Sequence, residues 1–76
     1  MDLVEGYIEV IDKFKRALEN VDERIEYVEL HPEVNIGLRT LIYVHDKVYR
    51  RKLITIIEQL RRERELVLSI RENMEE

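Results

Sequence analysis

His45 and Asp46 stand side by side, flanked by Tyr43 and Tyr49, and Asp46 precedes Arg50 by four residues. A histidine beside a carboxylate is a pairing that general acid–base catalysis uses, and the same two residue types ligate divalent metals. Neighbouring residues on a helix point about 100° apart, so this pair does not converge on one ion from adjacent positions. Helix-bundle di-metal centres are built on a Glu-x-x-His spacing, which the chain lacks. The plainer expectation places His45 at the edge of an apolar seam and Asp46 in an exposed pair with Arg50 one helical turn on. His31, directly before Pro32, reads as a loop or capping residue, because proline disfavours a helical conformation at the residue preceding it.

Other routes to chemistry are sparsely furnished. Ser69 is the sole serine and has no Gly-x-Ser-x-Gly turn around it, so nothing raises it as a nucleophile. Gly6 and Gly37 are the only glycines, too few for a phosphate-cradling loop. The absence of cysteine excludes thiol catalysis, disulfides and thiolate zinc sites. No catalytic, cofactor-binding or metal-binding residue is assigned on these grounds, and no cofactor is expected. Small helical dimers can still be enzymes. Ile11-Asp12 with Arg16 and Arg24 resembles the first helix of the helical-class chorismate mutases, which line a bundle core with Arg and Lys. The likeness ends with that helix; it implies, as one alternative, an enzyme with its site in a dimer core.

Charge offers another kind of site. Residues 1–35 hold ten acids and four bases, a net −6, whereas residues 36–76 hold nine bases and seven acids, a net +2. The stretch 39–64 is the most basic. Within it Lys47, Arg50, Arg51, Arg61 and Arg62 are candidates for contact with an anionic partner, either nucleic-acid phosphates or an acidic protein. The competing expectation is an ordinary solvated face neutralised by the acids of the first half. An overall charge of −4 favours the latter, so nucleic acid is an alternative partner rather than the leading one.

Whatever these residues do, helices must position them. Val4, Tyr7, Ile11, Phe14, Leu18, Val21, Ile25 and Val28 recur at alternating steps of three and four, the seam of left-handed coiled-coil packing. Asp2, followed by Glu5 three positions later, suits a helix start. A first helix is therefore predicted over about residues 3–30. The only break is Leu30-His31-Pro32-Glu33-Val34-Asn35-Ile36-Gly37, where the second helix can begin at Pro32 or behind Asn35 as its N-cap. Beyond Gly37 there is neither glycine nor proline. Leu38, Leu41, Ile42, Tyr49, Leu53, Ile56, Ile57 and Leu60 then keep helical spacing, and the apolar pattern resumes after Arg61–Glu65. A second helix over about residues 37–74 follows, with a turn at about 31–36 and one domain over 1–76.

The 76 residues are 39% charged and 45% hydrophobic, the balance of a folded chain rather than a disordered one. Apolar runs never exceed four residues, against roughly 18 for a membrane span. No basic-then-apolar leader opens the sequence, and a cytoplasmic location is expected, with no membrane contact. One Gln, one Ser, two Thr and three Asn are few, a bias associated with thermophilic proteins.

Two helices form a single layer and cannot enclose faces this rich in Ile, Leu and Val. The fold class expected is all-α: an antiparallel helical hairpin with a long second helix, dimerising into a four-helix bundle. At 1.5 Å per residue the shorter helix should end near residue 63 of its neighbour, leaving Leu66, Val67, Leu68, Ile70 and Met74 projecting. Tyr7, Ile11, Phe14, Leu18, Val21, Leu53, Ile56, Leu60, Val67 and Ile70 are the expected interface of the oligomer. The function this supports is a non-catalytic assembly or protein-interaction module. Its first partner is itself, as a homodimer, with an unidentified second protein also admissible.

Overall fold

The computed structural model describes residues 2–75, the side chain of Glu75 excepted. Two helices make up the described chain: α1, Leu3–Leu30, and α2, Ile36–Glu75. Asp2 caps α1 by accepting from the Val4 amide at 3.2 Å, which satisfies one of the amides that a helix start leaves bare. At the other end His31 is the C-cap residue. A hydrogen bond of 3.2 Å from the Val34 amide to the His31 carbonyl closes the turn around Pro32. Asn35 then opens α2, its Oδ1 accepting from the amides of Gly37 at 2.9 Å and Leu38 at 3.3 Å. Of the two starts open to the sequence, the chain takes the asparagine cap.

The helices run antiparallel, and polar rungs fix their register. Arg39 Nε donates to the Val28 carbonyl at 3.2 Å. Further along, Asp46 receives Arg24, Asp22 receives Arg50 at 2.7 Å, and Asp2 receives Arg71 at 2.7 and 3.0 Å. Ile11, Val21, Ile25 and Val28 of α1 and Leu53 and Ile57 of α2 are buried, with Val21, Ile25 and Leu53 forming one cluster. Phe14, Ala17 and Leu18 pack on the same cluster. The result is a rod of 62 × 18 × 15 Å.

One expectation needs correction. The reach of α1 extends to Arg71 rather than stopping near residue 63. Val67 and Leu68 are consequently half-buried, not projecting, while Leu66, Ile70 and Met74 stay exposed. Side chains on a helix lean toward its N-terminus, so the long Arg71 reaches back toward the turn and meets Asp2 at the end of the shorter helix. Of the two adjacent isoleucines of α2, Ile57, at 5% exposure, faces the hairpin core and Ile56, at 36%, sits on the flank. Tyr7, Phe14, Leu18 and Leu60 are half-buried. Among the described residues, no helix is long and apolar enough to cross a membrane.

Candidate functional site

Asp46 occupies an inner position of α2, seven residues before Leu53 and therefore on the same stripe. It is 2% exposed. Its partner is not Arg50, as the one-turn spacing suggests, but Arg24 from the other helix. Arg24 Nε donates to Oδ2 at 3.0 Å and Nη2 to Oδ1 at 3.2 Å, a side-on fork that neutralises a charge burial alone would disfavour. His45 Nδ1 lies 3.0 Å from Asp46 Oδ1, and its ring stacks at 6.0 Å on Tyr49. The Arg24 fork, aided by His45, holds the Asp46 carboxyl below the usual carboxylate range against the opposing pull of burial. Arg50 is drawn instead to Asp22, because it stands further round α2 toward that edge of α1.

As chemistry, the Arg24–Asp46–His45 group is saturated. Both Asp46 oxygens already accept strong bonds, so the carboxylate is poorly placed to take a proton from a substrate. Among the described residues no group of three or more acids and histidines is gathered to hold a metal ion. Asp12 and Arg16 form an exposed pair at 4.0 Å within α1 and do not join Arg24 around a common cavity. His31 packs on Tyr27 at 4.1 Å and meets Glu33 at 2.6 Å, in keeping with its place at the helix end.

The basic candidates do not form one surface. Arg50 is committed to Asp22, and Lys47 sits over the Tyr43 ring at 5.0 Å, a cation–π contact. Arg51, Arg61 and Arg62 are exposed. Lys47, Arg51 and Arg62 share one outer ridge by helical spacing, but Glu58 falls between them on that ridge. Arg64, by contrast, turns inward and is half-buried, with an Nε that has no hydrogen-bond partner among the described residues.

Exposed apolar surface is the molecule's largest feature. Leu3, Val10, Leu41, Tyr49, Ile56 and Ile70 are among the large side chains left open to water. Shallow hollows interrupt this surface. One, of about 250 Å³, is lined by Leu3, Gly6, Tyr7, Val10 and Leu60; another, of about 410 Å³, lies between Arg24, Leu41, Ile42, His45 and Asp46; a third, of about 330 Å³, is lined by Val28, Glu29, Ile36, Arg39, Thr40 and Tyr43. Burial, followed by the nearby charge of Glu63, pushes the Tyr7 phenol up. Of the expected interface residues, Ile11, Val21 and Leu53 are consumed by the hairpin's own core, and Ile56 and Ile70 lie open. The identity of the inward isoleucine escapes sequence reasoning because residues 56 and 57 are both Ile. The burial of Asp46 has a signal in its heptad relation to Leu53. No protein-family model, curated protein or solved structure matches the chain.

Proposed function

We propose that this chain is a non-catalytic helical module whose work is association, with a second copy of itself as its first partner and a four-helix bundle as the product. One observation carries this reading. The chain exposes 6062 Å², whereas a compact monomer of its 9.3 kDa exposes about 5,000 Å². Its radius of gyration, 17.6 Å, likewise exceeds the roughly 11 Å of a compact chain this long. Leu3, Val10, Tyr49, Ile56 and Ile70 are among the large apolar side chains left exposed, the kind of surface that marks an interaction site when contiguous. Multi-angle light scattering across the micromolar range tests the reading. A mass of twice 9.3 kDa or more is expected, and a monomer mass throughout would refute it.

A second reading rests on the exposure of Arg51, Arg61 and Arg62, through which an acidic partner or nucleic acid could dock on α2. Glu58 interrupts the ridge and two of the five candidate bases are engaged within the molecule, so the self-association reading stands ahead of it. An enzyme with its site in a dimer core is the last of these readings; the acid–histidine pair it would draw on, His45 and Asp46, is already tied to Arg24.

A further inference from the structure

We propose that the partner copy lies on the face of the hairpin that carries Gly6, and that Gly6 is its point of closest approach. This rests on the self-association proposed above and adds where it happens. Two of the hollows, one around Gly6 and Leu60 and the other around Ile42 and Asp46, open on the same side of the rod. Helical spacing puts Tyr49 and Ile56 between them. This side is apolar along most of its length; of its charges, Arg24 and Asp46 neutralise one another, and Glu63 stands beside Tyr7 at the Gly6 hollow. The opposite side is crossed by the Arg50–Asp22 pair, with Asp22 about 160° round α1 from Gly6. Covering that side would strip water from charges held for solvent. Taken over the whole rod, the exposed 6062 Å² exceeds the compact value by about 1,000 Å², against the about 800 Å² that each partner gives to a standard interface.

Gly6 supplies the independent argument. Glycine inside a helix weakens it, so its place there calls for a reason. Its backbone gives none, since no glycine among the described residues has a positive φ. Packing within the hairpin gives none either, because a Cβ at Gly6 would meet nothing within 4 Å. A helix from another molecule, approaching close over the hollow, does supply one: a side chain at residue 6 would hold it off.

Three variants, measured by sedimentation equilibrium together with far-UV circular dichroism, test this. Gly6→Leu should keep or raise helicity, since the space is open in the hairpin, yet weaken the dimer by about tenfold or more. Val10→Glu, on the same side, should also weaken it. Ile8→Glu alters a somewhat more exposed residue on the far side and should leave the dimer unchanged. If the wild type self-associates and both Gly6→Leu and Val10→Glu keep its mass, the face is wrong and this inference falls while self-association stands. If the wild type is monomeric at every concentration, self-association itself falls, and this inference with it.

Discussion

Arg24 of α1 grips Asp46 of α2 through two hydrogen bonds, 3.0 and 3.2 Å long, across a stripe that is otherwise apolar. A buried ion pair adds little net stability, yet removing one partner strands the other's charge. Arg24→Ala should therefore destabilise the hairpin by about 1–3 kcal/mol, the cost of leaving a buried polar group unsatisfied. Arg24→Met combined with Asp46→Leu should be neutral or stabilising. Denaturant unfolding of the single and double variants checks both outcomes, and a double variant weaker than Arg24→Ala would show the pair to be a true source of stability.

The same pair sets a pH dependence. Asp46 and Asp2 have their carboxyls held low, by Arg24 and Arg71 respectively. A carboxylate with a depressed folded-state pKa contributes stability that is fully present above its ordinary value of about 4 and is lost as pH falls through the lowered one. Helicity and midpoint temperature should thus hold from neutral pH down to about pH 4 and decline below it. Asp46→Asn should flatten that decline, and an unchanged acid profile would remove Asp46 from the account.

Leu53 is 1% exposed and touches the Val21–Ile25 cluster. Leu53→Ala should cost about 2–5 kcal/mol through lost transfer energy and the cavity left behind. Phe14 is only half-buried in a single copy, so Phe14→Ala should fall below the roughly 3–5 kcal/mol of a fully packed aromatic unless a partner covers it. Comparing the two by chemical denaturation at low and high protein concentration reads that coverage directly.

Ending the chain after Arg64 removes Val67 and Leu68, both half-buried, and the Arg71 contact to Asp2. The first turns of α1 should then exchange their amide hydrogens faster while the Val21–Leu53 region keeps its protection. Unchanged exchange near residues 3–10 would mean that the end of α2 does not support α1.

Nucleic-acid binding, if present, should be weak and fall steeply with salt, by close to one unit of log–log slope per phosphate contact. Fluorescence anisotropy with a labelled duplex checks this. Sub-micromolar affinity near physiological salt, abolished by Arg50→Ala with Arg51→Ala, would move the basic stretch ahead of self-association.

Much of the hairpin is legible in the sequence. The heptad seam from Val4 to Val28 marks one helix, Pro32 marks the turn, and the absence of glycine and proline beyond Gly37 marks the other. Asp2 and Asn35 are readable as caps because short polar side chains compete for bare amides. What is hidden lies between the helices. Periodicity states how wide an apolar face is and not which edge meets a neighbour, so Ile56 and Ile57 cannot be ranked. Register is hidden too, since the lean and length of Arg71 decide that it meets Asp2. Asp46 invites pairing with Arg50 on local spacing, and only the presence of α1 hands it to Arg24.

The 62 × 18 × 15 Å outline has a hydrodynamic consequence. A rod drags more solvent than a sphere of equal mass, so a single copy should leave a gel-filtration column ahead of globular standards of 9.3 kDa. Two rods laid flank to flank double the mass and thicken the particle while adding little to its length. Association on the Gly6 side would therefore lower the frictional ratio, and the sedimentation coefficient would climb faster than for two particles joined end to end.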